Sequence, residues 1–568
     1  MADYNRKKMR LGDVLVNNKV LTNSQLQAAL EGQQGSGKKL GEYLVDQGIV
    51  TDEAIAGALS TQMGLELVRP QEFDVPDEIK NAWLDNAALL RKHHIFPYAF
   101  VEDKPNVVRV AMADPLDMYA ADDVSIIMNC QVEPCVATTR DIMLAIDKYF
   151  GGGETDEAID KYAEEREAAF ANAEEDLRSE DIQNSPIVKA VTELIEQAVR
   201  KRASDIHIEP LERNVRVRYR IDGALYNQKT YPLGALPALI ARIKIIGGMD
   251  IAEKRKPQDG RITQVVDRME YDIRVSILPT VYGEKAVMRL TSKTALTREK
   301  SQLGLKPKEM EVFDRIISHP HGIMLVTGPT GSGKSTTLYT ALSELNKEEV
   351  NIITVEDPVE ANIDGINQVQ TNVKADLTFA TALRSILRQD PDIIMIGEIR
   401  DQETASIAVQ ASITGHLVVS TLHTNSAAST ITRLEDMGIE SYLIADSIIG
   451  VIAQRLVRRL CPHCKQAREA TDAEKEFMSL PVDQPQIIYE PKGCPQCDNT
   501  GYRGRIGVYE IMEMTPDLQR IISKGGNAED IKNKALDEGM HTLRMSAAEY
   551  VIEGITSYSE AAKISFDI

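Results

Sequence analysis

The sequence has no apolar run that could cross a membrane and no excess of positive charge. None of its segments approaches the roughly 18–20 consecutive apolar residues that a transmembrane helix needs. Its 86 acidic residues outnumber 65 Lys and Arg residues, and the net charge of −21 argues against a broad nucleic-acid-binding surface. Residues 1–8 lack the apolar core of a signal peptide. We therefore expect a cytoplasmic protein that binds no nucleic acid and meets a membrane only through partners.

Cysteine is also scarce, and four of the six cysteines stand in two CxxC pairs. The pairs, Cys461 with Cys464 and Cys494 with Cys497, have the spacing of a zinc site with four thiolate ligands. Such a site is structural, because four protein ligands leave no open coordination position. The alternatives are a chance pairing or a redox dithiol, which would need only one CxxC in a thioredoxin-like context. We predict that Zn²⁺ is bound by all four cysteines.

The most informative segment follows the apolar run 323–326 and precedes a helical pattern. It is the complete phosphate-binding loop GxxxxGK[ST], made of Gly328, Pro329, Thr330, Gly331, Ser332, Gly333, Lys334, Ser335 and Thr336. Its glycines let backbone N–H groups converge on phosphate oxygens at a helix N-terminus. Lys334 is expected to reach the β- and γ-phosphates, and the Ser335 hydroxyl group to bind Mg²⁺. The chain is predicted to bind ATP or GTP.

From about residue 300 onward, short apolar runs alternate with helical segments, as in a parallel α/β domain. Strands predicted at 352–355, 393–396 and 417–421 end at polar residues, where open α/β sheets bind their ligands. Glu398 occupies the position of a Walker B carboxylate, although Gly-Glu stands where Asp is usual. The choice between metal ligand and water activator therefore stays open for Glu398 and for Glu356, which follows the first of these strands.

Upstream, the sequence predicts an α+β domain over 182–298. Residues 215–221 alternate between apolar and basic side chains, which puts Arg216, Arg218 and Arg220 on one face of a mixed sheet. By itself, such a row of arginines indicates a solvated surface. An acidic, Ala-rich stretch predicts a flexible linker over 151–181.

The chain opens with a repeat. Residues 10–33 align with residues 39–62 at a shift of 29, which pairs Leu11 with Leu40 and Gly12 with Gly41. Each unit predicts a short helix, a turn and a second helix, and Thr22 with Gln25 resembles a capping box. Together with a small α/β continuation, the repeat predicts an N-terminal regulatory or docking domain over 1–150.

The motifs together resemble those of the secretion ATPases, the motors of type IV pili and type II secretion. The phosphate loop and the segments 355–360, 383–392, 397–401 and 414–425 are similar to that family's Walker A, aspartate, Walker B and histidine boxes. Segments 202–210 and 253–261 are similar to its PAS-like domain. The resemblance covers essentially the whole chain. It implies a RecA-like P-loop ATPase domain at 299–568, preceded by the PAS-like α+β domain and the helical-repeat domain. Within the ATPase domain it implies a small zinc-binding insertion at 461–497 and C-terminal helices at 511–568.

The resemblance also implies roles for individual residues. Four become catalytic candidates through the boxes in which they lie: Glu356, Glu398, His416 and His423. The family supplies arginines to the nucleotide of a neighbouring subunit, because a fixed cation can neutralise the charge on the transferred phosphoryl group. Arg218 and Arg220 are the candidate arginine fingers, with Arg384 and Arg388 as alternatives.

Retraction motors of the family lack both a long N-terminal domain and the paired CxxC motifs, so the chain resembles an assembly motor. Its length and repeat favour type IV pilus assembly, and the type II secretion ATPase is the alternative. The resemblance implies a homohexamer that hydrolyses ATP with Mg²⁺ at the cytoplasmic side of the inner membrane. The implied partners are an inner-membrane platform protein and a cytoplasmic docking protein. A RecA-like nucleic-acid motor and a nucleotide-binding switch with negligible turnover are the rival functions.

The opening repeat resembles the tandem motif by which some assembly ATPases bind cyclic di-GMP. That resemblance names as candidate ligand residues Arg10, Leu11, Gly12, Leu40 and Gly41. Arg10 can stack on guanine or pair with phosphate. Two positions depart from the motif, since Lys39 replaces the second arginine and Lys19 replaces a turn glycine. The alternative is a helical docking module whose repeat only packs a core and engages membrane-platform proteins.

Overall fold

The computed structural model describes residues 10–18, 20–34, 36–150, 158–161, 186–292 and 300–566. They belong to two units, residues 1–292 and 293–568. The predicted linker over 151–181 lies outside the described residues except for 158–161, where Ile159 is fully buried in the core of the PAS-like sheet. Among the described residues, no helix combines the length and the apolar character that crossing a bilayer would need.

The repeat forms two helix pairs, as predicted. Its helices are α1 (Leu11–Asn17), α2 (Asn23–Gln33), α3 (Leu40–Asp46) and α4 (Asp52–Met63). The capping box at Thr22 and Gln25 is confirmed, since each side chain accepts a hydrogen bond from the backbone of the other. The two repeat glycines allow close helix packing. A Cβ atom on Gly12 would lie 2.7 Å from the side chain of Leu26, and one on Gly41 would lie 3.3 Å from that of Ile55.

A small α/β layer follows the repeat. Its elements are α5 (Asp77–Trp83), α6 (Ala87–His93), β1 (Ile95–Val101), β2 (Lys104–Met112), α7 (Met118–Met128), β3 (Gln131–Val136) and α8 (Thr139–Phe150). In the three-stranded sheet, β2 pairs antiparallel with β1 and parallel with β3. Trp83, Phe96 and Tyr98 are among its buried core side chains.

The rest of the N-terminal unit is a six-stranded sheet with two main helices. Its elements are α9 (Pro186–Arg200), β4 (Ala203–Pro210), β5 (Asn214–Ile221), β6 (Ala224–Pro232), α10 (Leu236–Ile246), β7 (Gln258–Val266), β8 (Met269–Thr280) and β9 (Gly283–Ser292). Val215, Val217 and Tyr219 are buried beneath the helices, so the predicted alternation of β5 is confirmed.

The expectation of a mixed sheet is wrong, because every strand pairing in this sheet is antiparallel, in the order β6-β5-β4-β9-β8-β7. Hairpins explain the difference. Two-residue turns at Asp222-Gly223 and Asp267-Arg268 have positive φ at both positions, the conformation that joins antiparallel neighbours.

The C-terminal unit contains a doubly wound α/β sheet in the order β12-β11-β13-β14-β10-β15-β18. All its pairings are parallel except that of β15 with β18. The strands are β10 (Gly322–Thr327), β11 (Ile352–Glu356), β12 (Asn367–Gln370), β13 (Ile393–Ile396), β14 (Leu417–Leu422), β15 (Ile448–Leu460) and β18 (Tyr502–Glu513), with β16 (Gln466–Glu469) and β17 (Ile487–Glu490) forming a separate hairpin. The four strands predicted around the phosphate loop and the acidic boxes are confirmed.

Helices cover both faces of this sheet. They are α11 (Pro307–Ile317), α12 (Lys334–Leu345), α13 (Phe379–Ile386), α14 (Gln402–Ile413), α15 (Ala427–Asp436), α16 (Ser441–Ser447), α17 (Asp472–Phe477), α18 (Pro516–Ser523), α19 (Ala528–Asp537), α20 (Leu543–Ile552) and α21 (Tyr558–Phe566). Alternate residues of β10 enter two different cores, with Ile323 and Leu325 in one and Met324 and Val326 in the other. The central strands are therefore buried on both sides, which explains their nearly continuous apolar sequences.

A buried carboxylate joins the C-terminal helices to this sheet. Glu510 on β18 is only 3% exposed and accepts hydrogen bonds from the backbone N–H groups of Ala427 and Leu543. These are the first residues of α15 and α20. A carboxylate at two helix N-termini satisfies donors that have no partner within their helices.

Candidate active site and metal centre

The phosphate loop connects the C-terminal end of β10 to the first turn of α12. Gly328 and Gly333 adopt φ values of 149° and 91°, a region that favours glycine. A Cβ atom at Gly328 would lie 2.5 Å from the carbonyl oxygen of Gln454, and one at Gly333 would lie 2.9 Å from the Gln454 amide nitrogen. These two positions therefore require glycine both for their backbone conformation and for close packing against β15.

Lys334 lies inside the loop. Its Nζ atom donates hydrogen bonds to the carbonyl oxygens of Gly328 at 2.7 Å and Pro329 at 3.1 Å. Burial lowers the pKa of Lys334 to about 8, against the opposing effect of Glu398. The Ser332 hydroxyl group is buried and has no hydrogen-bond partner among the described residues, whereas Ser335 is exposed. A loop with a cation, an unpaired hydroxyl group and a helix N-terminus fits a nucleotide phosphate, and Ser335 is accessible to Mg²⁺.

Glu398 and His423 lie together at the same edge of the sheet. The Nε2 atom of His423 is 3.6 Å from one carboxylate oxygen of Glu398, and the Arg400 guanidinium donates a hydrogen bond to the other oxygen. Burial and the charge of Lys334 lower the pKa of His423. At neutral pH the imidazole is therefore largely neutral, and Glu398 is the carboxylate beside it.

Glu356 is in a different environment from Glu398. Its side chain is buried and accepts hydrogen bonds from the hydroxyl group of Tyr339, from that of Thr354 at 2.5 Å and from the amide of Gln368 at 3.1 Å. Three donors fix its orientation at the end of β11.

His416 does not join this cluster within its own chain. It precedes β14, whereas His423 follows that strand, so about 20 Å of extended backbone separates them. The Nδ1 atom of His416 lies 2.9 Å from the carbonyl oxygen of Ala411 at the opposite edge of the sheet. The resemblance grouped the two histidines in one box, but the direction of the strand places them at opposite ends.

The candidate arginine fingers lie on the polar face of the PAS-like sheet. Arg218 donates a hydrogen bond to Glu209 at 2.8 Å, and the Arg220 guanidinium lies 3.6 Å from Asp205. Strand register extends this basic row to three arginines that sequence reasoning did not select: Arg261, Arg274 and Arg289. The alternation of apolar and polar residues along β8 was a sequence signal for Arg274. The alternatives Arg384 and Arg388 belong to the C-terminal unit, where Arg384 pairs with Glu403.

The four cysteines of the two CxxC pairs converge. Their Sγ atoms all lie within 4.8 Å of one another, and the distances are 3.8 Å for Cys461 to Cys494, 3.8 Å for Cys464 to Cys497 and 3.7 Å for Cys494 to Cys497. A tetrahedral site with Zn–S bonds of about 2.3 Å requires edges of about 3.8 Å.

The same distances bear on the redox alternative. They are far beyond the S–S bond of about 2.0 Å in a disulfide. Backbone N–H groups of Cys494 and Gly501 also donate to the Sγ atom of Cys497. Burial raises the pKa of that thiol, but these donors outweigh burial and hold the pKa below its ordinary value. Convergent sulfurs with N–H donors fit a thiolate metal centre.

In the N-terminal repeat, Arg10 is exposed at the start of α1 and Lys39 occupies the matching place before α3. Lys39 forms an ion pair with Asp114. Gly12 and Gly41 are explained by helix packing, and Leu11 and Leu40 are partly buried in the same small core. Among the five candidate ligand residues, Arg10 is therefore the one with an exposed cationic side chain.

Sequence reasoning missed two residues beneath the phosphate loop. Gln454 and Arg455 are buried on β15, with 2% and 5% of their surfaces exposed. Gln454 accepts a hydrogen bond from Thr337 at 2.8 Å. The available signal was the appearance of two polar residues directly after the apolar run 448–453.

Comparison with known proteins gives two family matches. The family described as "Type II/IV secretion system protein" matches residues 180–563, and the "MshEN domain" matches residues 63–156. The "Type IV pilus assembly ATPase PilB" of Myxococcus xanthus is 42% identical over 560 residues, which cover 97% of this chain and 98% of that protein.

Two further proteins are similar over a smaller part of the chain. The "Type II secretion system ATPase E" of Vibrio cholerae is 47% identical over 401 residues, or 70% of this chain and 79% of that protein. The structure of the Legionella pneumophila ATPase DotB has a TM-score of 0.51 at 23% identity, covering 67% of this chain and 96% of that one. The likeness to DotB concerns the fold alone.

Proposed function

The chain belongs to the type II/IV secretion system protein family, and we propose that it is the ATPase that powers type IV pilus assembly. The observation that carries this function is end-to-end similarity to a pilus assembly ATPase over 97% of the chain. The type II secretion ATPase of Vibrio cholerae, the alternative, is similar over only 70% of it.

The reaction is ATP hydrolysis. In our proposal the loop from Gly328 to Thr336 binds the phosphates, and Lys334 exchanges its two carbonyl acceptors for phosphate oxygens. Ser335 would hold Mg²⁺, which neutralises charge on the phosphates when bound. Glu398 would orient the attacking water and accept its proton, because it is the less buried of the two carboxylates and lies beside a largely neutral histidine.

A hexameric ring is the proposed working form. Each nucleotide would lie at a subunit interface, and Arg218 or Arg220 of a neighbouring PAS-like domain would approach the γ-phosphate. Support comes from the row of basic side chains on one sheet face. The proposed ring acts at the cytoplasmic side of the inner membrane with a platform protein and a docking protein, without nucleic acid.

Zinc is proposed as a structural ion held by Cys461, Cys464, Cys494 and Cys497. The sulfur geometry supports this ion, and the centre joins the end of β15 to the start of β18. Cyclic di-GMP is proposed as a ligand of the opening repeat, with Arg10 as its main contact. Titration of cyclic di-GMP into the full chain and into Arg10→Ala tests the second proposal, and equal binding by both would reject that contact.

Deletion and complementation test the pilus function. We expect a strain without this gene to lose surface pili while retaining type II secretion, and the wild-type gene to restore pili. Complementation with Lys334→Ala is expected to leave the cells without pili, because the phosphate loop cannot bind ATP well. Loss of type II secretion with normal pili would favour the alternative.

A further inference from the structure

The loop that carries His423 is anchored at two points, at the two residues that directly follow the histidine. At the first point, the backbone N–H group of Thr424 donates to the hydroxyl oxygen of Thr327 at 2.8 Å, and the two hydroxyl groups are 2.6 Å apart. Thr327 is the last residue of β10 and immediately precedes Gly328. This anchor ties the histidine loop to the start of the phosphate loop.

The second anchor is Arg455. Its Nη2 atom donates a hydrogen bond to the side-chain oxygen of Asn425 at 3.1 Å, and its Nη1 atom donates to the carbonyl oxygen of Gln454 at 3.2 Å. A Cβ atom on Gly328 would lie 3.2 Å from the same Nη1 atom. The guanidinium therefore contacts both the first residue of the phosphate loop and the residue two positions after His423.

The positive charge of Arg455 also affects Lys334 in the phosphate loop. It contributes to lowering the pKa of Lys334, after the larger effect of burial. A lysine could supply a similar charge, but it could not direct two donors in a fixed plane at two different acceptors. The two hydrogen bonds therefore depend on the planar guanidinium group of Arg455 and not only on its charge.

We propose that Arg455 is a positioning residue, which holds the loop of His423 against the phosphate loop through Asn425 so that His423 stays beside Glu398. The inference rests on the proposed roles of Glu398 and His423. Both Nη atoms of Arg455 donate to acceptors within the protein, so in this proposal Arg455 acts on the reaction through the loop.

The test compares variants of the full chain in steady-state ATPase and nucleotide-binding assays. Arg455→Met keeps the length of the buried side chain and removes both donors, whereas Asn425→Ala removes the acceptor at an exposed position where misfolding is not expected. Arg459→Met is the matched control, because Arg459 is exposed on the same strand. We expect kcat to fall about tenfold or more in the first two variants, since a displaced catalytic group costs up to about a hundredfold.

The two variants should also agree in other measurements. We expect the Kd for an ATP analogue to change less than about threefold in each variant. The double variant should be slower than Arg455→Met by no more than about twofold, because both substitutions remove the same hydrogen bond between Arg455 and Asn425. A higher Kd with unchanged kcat at saturation would overturn the proposal in favour of direct phosphate binding. Full activity of Asn425→Ala, or independent losses in the double variant, would also overturn it.

Glu398→Gln separates this inference from the proposed active site. If Glu398→Gln is inactive but the Arg455 and Asn425 variants are not slowed, only the positioning role fails. If Glu398→Gln hydrolyses ATP normally, the proposed active site itself fails.

Discussion

The hydroxyl group of Tyr339 donates a hydrogen bond to the carboxylate of Glu356. Two further donors complete the surroundings of Glu356, which is 4% exposed, whereas the side chain of Glu398 is 18% exposed. The two carboxylates therefore have different environments although both follow strands of one sheet. A carboxylate committed to three donors is suited to fixing the strand end, and the more accessible one is suited to accepting a proton from water.

Replacing Tyr339 by Phe tests the structural part of this division. Tyr339→Phe leaves a buried carboxylate with one donor fewer, so we expect the free energy of unfolding to fall by about 1–3 kcal/mol. ATPase activity should fall only modestly. Urea unfolding and kcat measure the two effects, with the exposed Tyr442→Phe as control. A stable variant that has lost most turnover would show instead that Glu356 takes part in the reaction.

Glu398→Gln is expected to bind ATP and to lose most turnover. The amide keeps the shape of the side chain but cannot accept a proton as a carboxylate does, a loss of about 10²–10⁴ in kcat. Lys334→Ala should instead weaken nucleotide binding itself. Equilibrium binding and single-turnover hydrolysis distinguish the two variants. Near wild-type turnover by Glu398→Gln would move the catalytic role to Glu356.

The ion pairs of Glu209 predict a pH dependence in the N-terminal unit. Burial opposes ionisation, but Arg218 and Lys285 outweigh it and lower the pKa of Glu209 from 4.5 to about 2. Because the folded pKa is below the unfolded one, this stabilisation is present above pH 4.5 and is lost as the pH falls towards 2. Its size is at most about 3 kcal/mol.

We therefore expect Glu209→Gln to be less stable than the wild type at pH 7, and the difference to shrink between pH 5 and pH 3. Urea midpoints over this range measure it, and Glu212→Gln, at an exposed position, serves as control. A difference that stays constant with pH would contradict the assignment.

Metal analysis tests the cysteine centre. We expect one zinc ion per chain in protein purified without chelators, and about none in Cys464→Ser, because three thiolates bind zinc far more weakly than four. Cys130→Ser, outside the cluster, should retain the ion. The Cys464 variant should unfold at lower temperature, since metal binding contributes to folding. A wild-type protein without zinc would exclude the site.

The sequence correctly predicted those features that are encoded by residues close together in the chain. The strand and helix that flank the phosphate loop, the three strands that follow and the Thr22 capping box were predicted from consecutive patterns, and each was confirmed at its predicted place. The convergence of the cysteines also followed from spacing. The direction of strand pairing in the PAS-like sheet could not be predicted in this way, because alternating apolar and polar residues occur in strands with parallel and with antiparallel neighbours.

The separation of His416 from His423 within one chain has a related reason. The segment from His416 to His423 is one short box in the sequence, but as an extended strand it connects opposite edges of the sheet. Arg455 was missed because its contacts join three segments that are distant in sequence. Such contacts leave only a weak trace in the sequence, here two polar residues after the apolar run 448–453.

The carboxylate of Glu510, shared by the first residues of α15 and α20, has a practical consequence for anyone who wishes to shorten the protein. A truncation before Leu543 would keep every sequence box of the ATPase, yet it would remove one of the two N–H donors of Glu510 and the apolar side chains that α20 adds to the core. Exposing core surface that a helix had covered costs about 25 cal/mol for each Å² of apolar area. The smallest soluble ATPase fragment should therefore extend beyond α20, although the last catalytic candidate lies more than a hundred residues earlier.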